Sequence, residues 1–256
     1  MSGSGMFDLT GKVAVVTGST RGIGRAIAER MAEAGARVVI SSRKADVCDQ
    51  VAGEMRAAGH EAVAIPCNVS RKEDVEALAA KAQETYGKVD ILVCNAAANI
   101  ALGPLSSLTE AAYEKMMATN VQGVWRLCNL LIPPMAERGD GTVIVISSIA
   151  AIRGNDFAGL YGVTKAAEVG LVKNYAVEWA PKNVRVNAIL PGFVKTDFSK
   201  AIWEDDKMRE AELARIPLNR IGDPDDIAGV AVMLASRAGA FITGQTIVAD
   251  GGMTIA

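Results

Sequence analysis

The chain has 256 residues, 27 Lys+Arg against 29 Asp+Glu, and a formal net charge of −2. Hydrophobic residues make up 50% and charged residues 22%, the balance of one globular domain rather than a disordered chain, with no basic excess to suggest nucleic acid or an anionic membrane as partner. No apolar run reaches the roughly 18 residues of a membrane-crossing helix, and the opening MSGSGMFDLTGK has no basic-then-apolar leader, so a cytoplasmic protein is expected.

The pattern alternates short apolar runs with amphipathic stretches. Lys12–Thr17 reads as a strand, Gly22–Gly35 as a helix with Ile23, Ile27, Met31 and Ala34 on one face, and Arg37–Ser41 as the second strand. Asp46–Ala58 reads as a helix, Glu61–Ile65 as a strand, Lys72–Tyr86 as a helix and Asp90–Cys94 as the fourth strand. Thr109–Glu137 is a long helical region that Pro133-Pro134 is expected to kink or end, since neither residue has an N–H to donate. Thr142–Ser147, Val184–Leu190 and Gln245–Ala249 read as strands, with helices over Leu160–Ala180 and Asp225–Ala235. The strands are nearly all apolar rather than alternating, as a parallel sheet covered on both faces requires. The reading is α/β: a single-domain, Rossmann-type, doubly wound parallel sheet flanked by helices over residues 1–256.

Cysteine and histidine usage removes several chemistries. The four cysteines are scattered without a CxxC pair, which fits reduced, buried thiols. The single histidine, His60, falls in a loop between a helix and a strand. It is read as a surface residue, so a Ser-His-Asp triad or a histidine-based metal site is not expected, and no metal is assigned.

Two segments carry chemistry. Gly18, Thr20, Arg21, Gly22, Ile23 and Gly24 lie in TGSTRGIG, between the first strand and the first helix. Glycine permits a tight turn and close approach of a pyrophosphate, and the helix start offers free N–H groups. A glycine-rich loop alone is weak evidence, but a strand before it and a helix after it strengthen the reading. The acid that would hold the ribose of NAD is missing from the end of the second strand, where Ser41-Ser42-Arg43-Lys44 stands. Ser42 with Arg43 and Arg21 favours NADP(H) over NAD(H), because a guanidinium suits a 2′-phosphate. Further on, Tyr161 and Lys165 are one helical turn apart in YGVTK, and Ser148 precedes them at a strand end. The Tyr–Lys spacing alone occurs by chance.

Together TGSTRGIG (17–24), CNAAA (94–98), Asn120 in ATNVQG, Ser148 in VISSIAA, YGVTK (161–165) and the Pro191-Gly192 turn running to Thr196 resemble the short-chain dehydrogenase/reductase family over nearly the whole chain. ISSRK, NAAANI, SSIAA and KTDFSKAIW are most similar to its NADP-dependent carbonyl and retinol reductase branch. That branch is peroxisomal in animals, but the ending Thr254-Ile255-Ala256 is not SKL-like, so the location does not carry over. The resemblance implies Tyr161 as acid/base, its pKa lowered by Lys165 and by oxidised nicotinamide. It also implies Lys165 on the ribose hydroxyls, Ser148 donating to the carbonyl oxygen, and Asn120 fixing a water that links Lys165 to solvent. For the cofactor it implies Asn68 and Val69 at the adenine, Asn95 and Ala96 at the adenosine ribose, and Pro191, Gly192, Val194 and Thr196 on the nicotinamide side. It further implies a homotetramer. Two positions depart from the family: its usual NNAG is CNAAA here, and its adenine-contacting Asp is Asn68, an amide that can still donate and accept.

The least patterned stretch is about 193–223. Phe198, Ile202 and Trp203 are followed by charges, which reads either as a flap closing over a hydrophobic carbonyl substrate or as a surface helix packed on the core. The expected function is hydride transfer between NADP(H) and a carbonyl or secondary alcohol of a hydrophobic small molecule, with Ser148, Tyr161, Phe198, Ile202 and Trp203 touching it. The alternatives are a 3-oxoacyl thioester reductase of fatty-acid synthesis and a non-catalytic dinucleotide sensor.

Overall fold

Every residue of the strands β1 (Val13–Thr17), β4 (Ile91–Cys94) and β5 (Gly141–Ile146) is buried on both faces, so these runs must lie inside a covered sheet. In the computed structural model, which describes residues 5–155 and 158–256, they form its centre. β2 (Arg37–Ser41), β3 (Ala62–Ala64), β6 (Val184–Pro191) and β7 (Thr246–Ala249) complete seven strands in the order β3-β2-β1-β4-β5-β6-β7, all parallel. The order reverses between β1 and β4, and ligands of open α/β sheets bind at such a point, outside the carboxyl ends of the strands.

The helices α1 (Gly22–Glu33), α2 (Ala45–Ala57), α3 (Lys72–Tyr86), α4 (Glu110–Met116), α5 (Gly123–Arg138), α6 (Gly159–Trp179), α7 (Lys200–Trp203), α8 (Asp206–Leu213) and α9 (Pro224–Ala235) surround the sheet. One core lies on each face. Ile27 and Met31 of α1 and Ile227 and Leu234 of α9 join the first, and Leu78 of α3 and Leu127, Leu131 and Ile132 of α5 join the second. His60 is half-buried in the turn between α2 and β3, and all four cysteines are buried free thiols. Among the described residues no helix is long and apolar enough to cross a membrane, and no group of three or more His, Cys, Asp or Glu could hold a metal ion.

The long region around 109–137 differs from its sequence reading. The irregularity sits upstream of the prolines, in a π turn over Met117–Gln122, whereas α5 runs through Pro133 and Pro134 to Arg138. An interior proline costs about 3 kcal/mol. Leu131, Ile132 and Met135, all fully buried, each return about 1.5–3 kcal/mol on burial, so the face packed on the sheet carries the helix past the pair. The 193–223 stretch is also more ordered than its composition suggests: it holds a 3₁₀ turn over Asp197–Ser199 followed by α7 and α8.

Candidate active site

The turn after β1 needs glycine at identifiable points. Gly18 and Gly22 have φ of +67° and +55°, left-handed values that a side chain resists. A Cβ on Gly24 would lie 2.3 Å from Asn95 Nδ2 and 2.4 Å from the Gly18 carbonyl oxygen. The turn therefore packs its backbone directly against the end of β4. Thr17 fastens the joint: its Oγ1 accepts from the Asn95 and Ala96 backbone N–H groups at 3.0 and 3.1 Å and donates to the Val93 carbonyl. Asn95 Nδ2 donates back to the Thr17 and Gly18 carbonyls at 2.9 and 3.2 Å. The Asn95 side chain is thus engaged with the turn rather than turned towards a ribose.

α1 begins at Gly22, and Arg21 before it supplies no side-chain cap. Its first N–H groups stay available to an anion, and the helix dipole adds partial positive charge there. This cradle fits a dinucleotide pyrophosphate. Along the neighbouring edge, Ser42 accepts from Cys67 N–H, which brings the end of β2 beside Asn68. Asn68 Oδ1 accepts from the Ser70 N–H and hydroxyl, so its amide N–H groups stay available for adenine, while Val69 is buried. Arg43 is exposed and no carboxylate pairs with it among the described residues. Arg21 reaches Asp197 at 3.2 Å, in an exposed pair.

The second half of the site forms at the carboxyl end of β5. Ser148 opens a 3₁₀ turn over Ile149–Ala151, and its Oγ accepts from the Ala150 N–H. Tyr161 is half-buried in the first turn of α6, where the Ser148 side chain acts on its phenol, and Lys165 Nζ lies 5.5 Å from its ring centroid. Burial pushes the Tyr161 phenol above its ordinary pKa; Lys165 and Ser148 pull it down, and Glu168 pushes it up again. The lowering expected from Lys165 is therefore outweighed in the protein alone, first by burial and then by the carboxylate beside the ammonium. Lys165 Nζ donates to Glu168 Oε1 and Oε2 at 2.9 and 3.1 Å and to the Ile146 carbonyl at 3.0 Å.

Asn120 is fully buried in the π turn. Its Oδ1 accepts from Ala98 N–H at 2.8 Å, and its Nδ2 donates to the Ala98 carbonyl at 2.9 Å and to Thr164 Oγ1 at 3.0 Å. The side chain locks the loop after β4 to α6, so any water held by this residue falls to its backbone.

The segment after β6 closes the side opposite Ser148. Gly192 N–H donates to the Ala249 carbonyl, and a Cβ on Gly22 would meet Thr196 Cγ2 at 3.2 Å, which places the Thr196 loop against the phosphate turn. Val194 is buried in the core beneath Pro191-Gly192, so only its backbone can face a ligand. Trp203 Nε1 donates to the Thr196 carbonyl at 2.9 Å, and the Phe198 ring lies 5.9 Å from that of Tyr161. Phe198 belongs to the 3₁₀ turn and Ile202, half-buried, to α7, so the two do not share one regular helix. The structure brings Ser148, Tyr161, Lys165 and Phe198 together and ties Thr196 to the glycine turn.

Sequence reasoning missed Thr17 and Glu168. Thr17 stands in the turn motif, but its hydroxyl is indistinguishable in sequence from any strand-end threonine. Glu168 had a signal: a carboxylate three residues after Lys165, on the helix face that the tyrosine and lysine turn inward.

Residues 18–254 match the family model described as Enoyl-(Acyl carrier protein) reductase. Among curated relatives, the rabbit (Oryctolagus cuniculus) protein named Dehydrogenase/reductase SDR family member 4 is 44% identical over 95% of this chain and 94% of its own, and the human one is 41% identical over 98% and 92%. The chain belongs to the short-chain dehydrogenase/reductase family. It is an NAD(P)-dependent oxidoreductase of the family's α/β fold. A gluconate 5-dehydrogenase from Burkholderia cenocepacia, solved with NADP and tartrate, is similar at 32% identity and a TM-score of 0.95 over 99% of both chains. A 7α-hydroxysteroid dehydrogenase solved with NADH and 7-oxo glycochenodeoxycholic acid is 36% identical, with a TM-score of 0.93 over 98% of both chains.

Gly24→Ala forces its methyl into the Asn95–Gly18 joint. Fluorescence titration should show dinucleotide affinity reduced at least about tenfold, with lowered thermal stability, as expected where an added methyl overpacks a tight site. Unchanged affinity would remove the joint from the binding machinery.

Proposed function

We propose that this member of the short-chain dehydrogenase/reductase family is an NADP(H)-preferring carbonyl reductase and secondary-alcohol dehydrogenase for hydrophobic small molecules, with Tyr161 as acid/base. The observation that carries the reading is the meeting of the Ser148 hydroxyl, the Tyr161 phenol and the Lys165 ammonium beside the switch point of the sheet. The dinucleotide, when bound, supplies or accepts the hydride. Tyr161 gives its proton to the carbonyl oxygen on reduction and takes it back on oxidation. Ser148 donates to that oxygen, where negative charge develops. Lys165 holds positive charge beneath the phenol and reaches the ribose hydroxyls. Asn120 keeps the loop after β4 at a fixed height through Ala98 and Thr164.

NADP(H) preference is supported by Arg43, which has no carboxylate to satisfy, and by Ser42, which stands where an acid would repel a 2′-phosphate. Arg21 can join them, since its exposed pair with Asp197 is worth little. A hydrophobic substrate is supported by the apolar residues around the mouth. Ile100, Leu102 and Leu105 of the loop after β4, Ile152 after Ser148, and Phe198 beside Tyr161 are all exposed, and Gly103 pairs with Ala158 at the entrance to α6. The reading includes a cytoplasmic homotetramer without nucleic-acid or membrane partners. Phe241, wholly exposed, and Val177, 81% exposed, supply apolar surface for assembly.

The experiment is NADPH oxidation with a panel of apolar ketones, aldehydes and diketones beside a keto sugar acid and an acetoacetyl thioester. Turnover is expected with the apolar carbonyls. Activity confined to the thioester or the sugar acid would replace this reading.

Three variants probe it. Tyr161→Phe keeps the ring and removes the proton, so kcat should fall by about 10²–10⁴ while NADPH affinity is retained. Arg43→Ala combined with Ser42→Asp should reverse the cofactor preference measured as kcat/KM, by deleting the phosphate ligand and supplying a ribose acceptor. Trp203→Ala frees the Thr196 loop and opens the mouth. It should raise KM for bulky ketones more than for small ones, with little change in Tm; a large loss of stability with an unchanged KM profile would make Trp203 a core residue.

A further inference from the structure

Lys165 and Glu168 are each 1% exposed and lie beneath the reacting groups. An ammonium carries three protons and accepts nothing. At least two of them are engaged within the protein, by the Ile146 carbonyl and by Glu168, whose two oxygens both lie within reach of Nζ. On the reading above, which this inference depends on, Lys165 must give protons to the ribose hydroxyls. While Glu168 holds the ammonium at most one proton remains, and a pair of ribose hydroxyls asks for two.

We propose that Glu168 is a positioning residue for Lys165, holding the ammonium under Tyr161 in the free protein and yielding it to the dinucleotide by taking up a proton of its own. The step is acid–base only: an O–H bond forms on the Glu168 carboxylate at the expense of a solvent or buffer acid, and Lys165 keeps its charge for the ribose and the phenol.

Among the described residues Lys165 is the one charge partner of the carboxylate. Tyr161 on its own helix, Cys94 of β4 with Cys128 of α5 behind it, and Ser147 at the end of β5 are the other titratable or polar groups that act on it or that it acts on. None of the first three can carry a positive charge, and the Ser147 hydroxyl donates to the Lys165 backbone carbonyl at 3.0 Å. A carboxylate in so dry a site stays charged only while it is paired. Burial already pushes the Glu168 carboxyl up to about 7 against the pull of Lys165 and Ser147. Drawing the ammonium towards a ribose weakens that pull, so the pKa rises further and the group binds a proton.

The sign of the linkage follows. A site that takes up a proton on binding loses affinity as pH rises between the free and bound pKa values. The test is calorimetric titration of the wild-type protein with NADPH at about pH 7.5 in two buffers of different ionisation enthalpy, which counts protons exchanged on binding, up to about one here. The 2′-phosphate titrates near pH 6, and a parallel titration with NADH removes it from the count. Wild type should take up protons with both dinucleotides, and its Kd should rise with pH, by up to about tenfold per unit above neutrality. Glu168→Gln keeps the volume and an acceptor for Lys165, and it should show neither proton uptake nor that slope. Wild-type binding without proton uptake, or uptake that persists in Glu168→Gln, overturns the inference and leaves the proposed activity standing. Failure to bind either dinucleotide overturns both. Should Glu168→Gln not fold, the wild-type count decides alone.

Discussion

The joint between the ends of β1 and β4 governs the rest of the molecule. One hydroxyl, on Thr17, and one amide, on Asn95, close five hydrogen bonds to backbone and so fix how far apart the two strand ends stand. A parallel sheet whose strand order reverses at this place opens a crevice there as a matter of topology. The width of that crevice is set by these two side chains and by the absence of a Cβ on Gly18 and Gly24. From this seam the phosphate turn runs one way into α1, and the loop after β4 runs the other way towards Asn120 and α6. The Thr196 loop meets the turn at Gly22, so the three walls of the site share a common reference.

The chemistry of the site depends on a balance of burial against charge. Burial alone would keep the Tyr161 phenol neutral and make it a poor base. The ammonium one turn along opposes this, and in the free protein a counter-charge offsets the cost of burying it. Glu168 provides that counter-charge and thereby weakens the influence Lys165 has on the phenol. The free protein is accordingly a resting arrangement, stable and electrostatically quiet. On the proposal made for Glu168, a ligand that competes for the ammonium shifts the balance towards a more acidic phenol.

Much of this was legible in the sequence, for physical reasons that differ by element. β1, β4 and β5 announced themselves because strands buried on both faces are written as continuous apolar runs, and α3 was delimited at both ends by its pattern. The turn glycines, Ser148, Tyr161 and Lys165 were legible through order and spacing along the chain. Pro133 and Pro134 misled because a local rule was applied where tertiary burial is stronger. The π turn left no local signature, since six residues ending in Gln122 read as ordinary helix. Asn95 and Thr17 were visible as letters, but their mutual bonding joins positions some 78 residues apart, a distance that periodicity cannot span.

The π turn also limits how this region can vary. A single extra residue held within a helix rotates everything beyond it by about 100° relative to everything before it. Asn120 sits at that offset, facing Ala98 and Thr164, while Leu127, Leu131 and Met135 downstream still meet the sheet. Shortening the turn by one residue would give a more regular helix and a worse protein, because either the amide or the leucine stripe would have to turn away from its partners. An insertion or deletion inside the turn would therefore break one of these two sets of contacts, and the irregular segment is held to its length by both.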